Sequence, residues 1–320
     1  MRLSLYIVLV FCCFCSGGCT QTLLAERSLL LDVSPDSRYI VYFKAATDES
    51  DEYVEGQIWI YDVHRATHSL LTDAVFLQNY VGVVWSKSGS SFYLADGEVL
   101  QKYSFAERRK DTVFYCGADQ ILVDFAVSPD DRRNALNVKC LTENLPTQIV
   151  MVTSAGCPGL DTVYTVIDST LGEDLRNEVQ FGSSGSRLYV RDLYGRLLDV
   201  DLSVGTISPM LDWVEAMYYV DSLYLYYTVS TADTAILYQY DLATGVSFDM
   251  MRGLLMRVTF VGPFGEDVAI GLSDNILIYN ETGRCEPLTD ESAGAFGCVF
   301  VNKQFVIQSR DEDLYLLELQ

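Results

Sequence analysis

His64 and His68 are the two histidines of the chain and stand four residues apart in DVHRATHSL. On a helix that spacing presents both imidazoles to one metal ion. This segment reads as a polar turn entering a strand, where residues four apart need not face one way, so a solvated turn is expected and no metal site. A Ser-His-Asp site would have to draw on one of the same histidines. No G-x-S-x-G elbow and no Gly-rich phosphate loop occurs, and beyond residue 19 there is no C-x-x-C metal pair. The carboxylates offer more. TDESDEYVE (47–55) gathers Asp48, Glu49, Asp51, Glu52 and Glu55. Such a run could hold a hard cation such as Ca2+ or a basic partner segment. It lacks the bend glycine and the fixed ligand intervals of a Ca2+ loop, so it reads first as an acidic loop that keeps an edge soluble. No other cofactor is expected.

The thiols divide in two. Of nine cysteines, Cys12, Cys13, Cys15 and Cys19 belong to the opening MRLSLYIVLVFCCFCSGGC; Cys116, Cys140, Cys157, Cys285 and Cys298 follow. Five is odd, so not all can pair within one chain, and buried free thiols are the expectation. The apolar run from Leu3 to Phe14 is short for a bilayer span and reads as the core of a signal peptide covering 1–18. Small residues at Ser16, Gly17 and Gly18 immediately before Cys19 resemble a bacterial lipoprotein signal, in which that cysteine is lipidated. Ser16 stands where an apolar residue is usual, so plain cleavage after Gly18 is the alternative. A lipid would anchor the chain to a membrane surface without spanning it.

Lys plus Arg number 22 against 44 for Asp plus Glu, a formal charge of −22. That surface repels phosphate backbones, and the densest basic run is ERRK (107–110), so nucleic acid is excluded as a partner. Hydrophobic residues make up 49%, enough for a sizeable core. They are mostly strand formers separated by turn residues.

A hairpin recurs along the chain. LDVSPDSRYIVYF (31–43) is an apolar strand, a Ser-Pro-Asp turn and a second apolar strand; VSPDDRRNALNV (127–138) repeats it. VVWSKSGSSFYLA (83–95), VQFGSSGSRLYVR (179–191), TFVGPFGEDVAIG (259–271), MYYVDSLYLYY (217–227) and CVFVNKQFVIQ (298–308) keep the form with other turns. Markers at Ser34, Ser86, Ser128, Ser183, Val220, Gly262 and Val301 are spaced about 52, 42, 55, 37, 42 and 39 residues apart. A second hairpin follows each marker, clearest in QIWIYDVHRATHSLLTD (57–73), RLLDVDLSVGTISPM (196–210) and ILYQYDLATGVSFDM (236–250). Four short strands, a to d, every 40–45 residues or so is the period of a β-propeller blade. One such sheet cannot bury both apolar faces alone, and stacking in a ring covers them. The chain end DLYLLELQ (313–320) has room for strand c and none for strand d, which a strand near 21–30 could supply.

The prediction is therefore an all-β, seven-bladed propeller with four antiparallel strands per blade, the last blade closed by an N-terminal strand. Six or eight blades are alternatives. It forms one domain over 19–320. SPDSRYIVYF…IWIYDV…SLLTD (34–73) is similar to the propeller repeat of the TolB-like, WD40-like family, and Asp201 and Asp241 keep the aspartate of its third strand. The glycine that follows Ser-Pro-Asp in that family is replaced here by Ser37 and Asp131. The resemblance implies a ring used mainly as an interaction platform. Strand a lines the channel, which makes Asp32 and Asp124 candidate channel residues. Tyr218, Tyr219, Tyr224, Tyr226 and Tyr227 crowd the strands of one hairpin and read first as packing between blades. Trp59, Trp85 and Trp213 lie on or beside strands, and any of these rings left exposed could stack on a sugar or a peptide. The expected protein is an exported, lipid-anchored monomer facing the periplasm or the cell exterior. It catalyses nothing and binds a protein or peptide of the bacterial envelope on the loop face near 44–56. The rival is an envelope enzyme acting on a glycan or peptide through channel carboxylates.

Overall fold

The computed structural model describes residues 19–319 except 37, 46–54, 77–80, 106–108, 118–119, 141–146, 154–160, 167–177, 193, 232–233, 255–257, 265–266, 273–275, 281–284, 288–296, 302–303 and 309–313. The regular elements are strands, and among the described residues no helix is long and apolar enough to cross a membrane. β1 (Cys19–Ala25) precedes a first sheet of β2 (Ser28–Val33), β3 (Tyr39–Ala45), β4 (Glu55–Asp62) and β5 (Thr67–Phe76). The second sheet is β6 (Val81–Trp85), β7 (Ser91–Asp96), β8 (Val99–Ser104) and β9 (Arg109–Tyr115). The third is β10 (Gln120–Val127), β11 (Arg133–Cys140), β12 (Thr147–Thr153) and β13 (Asp161–Val166). The fourth holds β14 (Glu178–Phe181), β15 (Arg187–Arg191), β16 (Leu197–Asp201) and β17 (Thr206–Leu211). β18 (Ala216–Val220), β19 (Tyr224–Ser230), β20 (Thr234–Asp241) and β21 (Ser247–Leu254) make the fifth. β22 (Val258–Phe264), β23 (Asp267–Leu272), β24 (Ile276–Tyr279) and β25 (Cys285–Pro287) make the sixth. In the seventh, β26 (Gly297–Val301), β27 (Gln304–Gln308) and β28 (Leu314–Leu319) are followed by β1, which pairs antiparallel with β28.

The first strands of these sheets touch in a cycle: β2, β6, β10, β14, β18, β22, β26 and back to β2. That is the arrangement of a β-propeller, with the first strands innermost. Antiparallel order within each sheet puts every a–b turn on one face of the ring and every b–c turn on the other.

The core lies between sheets, and the two-residue period of the strands explains how each sheet serves both neighbours. Val41, Phe43, Ile58 and Ile60 of the first sheet pack on Val83, Trp85, Phe92 and Leu94 of the second. Tyr93 and Leu100, on the second sheet's other face, pack on Leu122, Phe125 and Leu136 of the third. In β19 the adjacent tyrosines part ways. Tyr227 packs with Tyr189 and Leu197 of the fourth sheet, Tyr226 with Val258 and Ile270 of the sixth. Each fully buried side chain of this size contributes roughly 1.5–3 kcal/mol. Tyr218, Tyr224, Tyr226 and Tyr227 thus pack between sheets as expected, the Tyr219 side chain lies outside the described residues, and Trp59 and Trp85 also pack at seams. Trp213 does not; it is 78% exposed.

The recurring turns have a shared chemistry. Buried Ser34 donates its hydroxyl to Asp36 Oδ1 at 2.6 Å and accepts the Tyr39 N–H at 2.8 Å. Ser128 does the same with Asp130 at 2.6 Å and the Arg133 N–H at 2.9 Å. Serine therefore closes the turn from inside, while the carboxylate caps its outer N–H groups. Three residues after Ser86, Gly182 and Ser128 the backbone is left-handed: Gly89 at φ 67°, Gly185 at φ 70° and Asp131 at φ 60°. Glycine suits that slot, and Asp131 occupies it for another reason. Its carboxylate reaches the second sheet, taking Tyr93 Oη–H at 2.8 Å and Lys102 Nζ at 2.5 Å.

Candidate functional site

Among the described residues, those of five innermost strands, β2, β6, β10, β14 and β18, and of their turns line an open cavity of about 650 Å³ at the a–b turn end of the channel. Asp32, Asp124 and Glu178 all line it, with Lys87, Gln180 and Tyr218. The structure thus brings the two sequence candidates together and adds Glu178. A signal for Glu178 was present: it stands four residues before its turn residue Gly182, as Asp124 stands four before Ser128.

Each innermost strand is a sheet edge, so its outward N–H groups lack a partner within the sheet, and an unpaired buried N–H is costly. The carboxylates meet that need across the seams. Asp124 Oδ2 accepts the N–H of Val179 in the next sheet at 2.9 Å. Glu178 Oε2 accepts the N–H of Met217, again one sheet on, at 2.7 Å. Asp32 accepts its neighbour Val33 N–H at 2.8 Å and the Trp85 N–H of the second sheet. Gln180 Nε2 donates to Tyr218 O at 3.0 Å, and Tyr218 Oη–H to Val258 O at 3.2 Å. The channel wall is stitched by side chains.

Burial pushes the Asp32 carboxyl up to about 7, against the pull of the two backbone N–H groups. Burial also raises Glu178, opposed by Arg191, whose Nη1 lies 3.7 Å from Oε1, and by the Met217 N–H. A carboxyl near 7 in a cavity can carry a proton at neutral pH, which is acid–base capability.

The other candidates scatter. Asp48, Glu49, Asp51 and Glu52 lie outside the described residues; Glu55 opens β4, on the face opposite the cavity. Among the described residues no group of three His, Cys, Asp or Glu is placed to hold a metal ion. His64 is exposed in the turn after β4, while His68 sits on β5 with Nδ1 2.8 Å from the Tyr42 hydroxyl. Burial lowers the His68 pKa, helped by Lys44. Cys116 is a buried free thiol, raised to about 11 by burial and then by Glu98 and Asp96, which leaves it inert as a nucleophile. Cys19 starts β1 with its Cα opposite Leu319.

No family model and no curated protein matches the sequence. Solved structures do match in shape. An oligogalacturonate lyase in complex with manganese superposes with TM-score 0.71 at 12% identity, over 95% of this chain and 94% of that one. Oligogalacturonate lyase from Vibrio parahaemolyticus gives 0.69 at 9% identity, covering 93% of each chain. The β-propeller domain of Myceliophteria thermophila Cps50 (Swd1) gives 0.62 at 10%, over 92% of this chain and 97% of that one. At these identities the likeness is one of fold, shared by an enzyme and a propeller of another kind, and it establishes a β-propeller.

Proposed function

We propose that the protein is a TolB-like, seven-bladed propeller of the bacterial cell envelope, exported and lipid-anchored through Cys19, that binds a protein or peptide partner and catalyses nothing. The observation that carries this reading is the double character of the channel mouth. Its carboxylates already hold the backbone N–H groups of neighbouring sheets, yet the cavity around them stays open. Groups committed to the scaffold make a negative binding surface more readily than a mobile acid–base pair. A mouth with three carboxylates on a chain of charge −22 suits a basic segment of the partner. A lipid on Cys19 would leave no spacer before β1, holding the ring edge-on at the membrane. Monomer and partner then face the periplasm or the exterior.

The second reading, a glycan- or peptide-acting enzyme, is favoured by the Asp32 carboxyl near 7 and by the lyases of similar fold. The lyase activity itself fits poorly. Galacturonate units are anions and would meet three carboxylates here. The manganese of that neighbour has no matching donor cluster among the described residues.

The test is a photo-crosslinking residue placed at Lys87 on the mouth, with Val204, 69% exposed on a c–d turn, as control, in intact cells. An adduct from position 87 and none from 204 is expected; adducts from neither, or from 204 alone, would sink the binding mouth. Mass spectrometry of the mature N-terminus decides the anchor, because an unmodified Cys19 removes it. Glycan or peptide turnover that disappears in Asp32→Asn would replace the binding reading with the enzymatic one.

A further inference from the structure

A second cavity, of about 440 Å³, opens on the b–c face of the fourth sheet and is lined by Tyr194, Arg196, Asp212 and Trp213. Its volume falls in the range of small-ligand sites. Trp213 bears two costs there. It is 78% exposed, and its backbone is left-handed at φ 66°, a conformation that a bulky residue rarely adopts. Glycine would fill that position without strain, and the tryptophan, so largely exposed, buries little surface in return.

The ring is nonetheless held on a rigid mount. The next residue, Val214, is buried, and its N–H donates to Gly195 O at 2.8 Å. Arg191 Nε donates to Val214 O at 2.9 Å. Gly195 is itself left-handed at φ 73°, and a Cβ there would come within 2.9 Å of Val214 O. The b–c turn carrying Tyr194 and the loop carrying Trp213 are therefore locked together. Buried Asp192 caps that turn through the Tyr194 N–H and Arg196 N–H, both at 2.9 Å, and takes Arg196 Nε at 2.7 Å. The Arg196 guanidinium also lies 5.1 Å above the Tyr194 ring.

From this we infer a binding site for a neutral sugar ring, stacked on Trp213. Charge selects the class. An anion would face Asp212 and a chain of charge −22. A cation finds the face of the Tyr194 ring already taken by the Arg196 guanidinium, which is held there by its pairing with buried Asp192. A sugar hydroxyl both donates and accepts, so it is served by a carboxylate on one wall and a guanidinium on the other, while its C–H face covers the indole. The site is on the face away from the channel cavity and stands independently of the binding reading given to that mouth.

The test titrates the mature full-length protein with maltotetraose, cellotetraose and N-acetylated chitotetraose, read by tryptophan fluorescence and calorimetry. Choline and tetragalacturonate are the charged arms. At least one neutral tetrasaccharide is expected to bind, with affinity at least tenfold weaker in Trp213→Ala and Trp213→Gly and unchanged in Val204→Ala, at an exposed c–d turn. Trp213→Gly should also melt higher than the native protein, since it relieves the left-handed strain. Binding of none of the neutral sugars, preference for either charged ligand, or binding that survives loss of the indole overturns the proposal. A lower melting temperature in Trp213→Gly does so too, because the ring would then be a packing element.

Discussion

Two residues sit in left-handed slots that glycine fills elsewhere, and they are predicted to respond oppositely to glycine. Ala66 has φ 50° in the turn after Asp62, where the matching turns after Asp201 and Asp241 place Gly205 and Gly245 at φ 70° and 73°. Asp62 caps that turn through the His64 N–H at 3.1 Å and the Arg65 N–H at 3.3 Å, as Asp241 caps its own, so the local geometry persists without the methyl group. Ala66→Gly should stabilise by roughly 0.5–1 kcal/mol, the left-handed penalty less the extra chain entropy of glycine. Asp131→Gly relieves similar strain at φ 60° but removes the acceptor of Lys102 and Tyr93, both part-buried contacts. It should destabilise by about 1 kcal/mol net. Urea titration of both variants measures the pair; a stabilised Asp131→Gly would mean that the link to the second sheet contributes nothing.

At the scale of the strand, the inner edges depend on carboxylates whose charge is penalised by burial, and stability should follow pH accordingly. The folded Asp32 carboxyl titrates near 7 against 3.8 for a free one. The folded state therefore holds its proton more tightly, and this contribution is fully present below about pH 4 and is lost as pH rises through about 7. Asp32→Asn keeps an oxygen for the Val33 and Trp85 N–H groups without a charge. Its melting temperature should match the native protein near pH 4 and exceed it increasingly toward pH 8. Glu178 is shifted in the same direction and leaves some slope in the variant. Parallel melting curves for the two proteins across that range would show that Asp32 is not the titrating stitch. Asp32 and Asp124 were recognisable in the sequence as charges on strands that line a channel. Their role as acceptors for the next sheet was not, because the strands that donate to them come from other sheets.

For the whole molecule, closure rests on the N-terminal strand. β1 covers β28 along six aligned positions, from Cys19 opposite Leu319 to Ala25 opposite Leu314. Leu24 and Ala25 join Leu314 and Leu316 in a cluster with Val33, Ile40 and Tyr42 of the first sheet, so one strand seals both the last sheet and the last seam. Leu314→Ala, at a fully buried position, should cost about 2–4 kcal/mol. The loss should appear in a single cooperative transition, since a closed ring has no independent end to fray. An early separate transition confined to the first and seventh sheets would count against closure of this kind.

Much of this architecture could be read one hairpin at a time. Ser34 and Ser128 hold Asp36 and Asp130 across two residues, and the aspartates at 62, 201 and 241 cap N–H groups within the next few. Such contacts need nothing from the rest of the chain, so their residue types recur wherever the turn does. The repeat, the four strands per unit and the strand missing at the end followed from that locality and from the two-residue alternation of apolar side chains. Which groups meet in space is another matter. Asp32, Asp124 and Glu178 reach one cavity, and Trp85 is covered by side chains of the first sheet, only because the ring brings neighbouring sheets together. Partners so distant in sequence leave no local pattern, and the tertiary structure alone decides them.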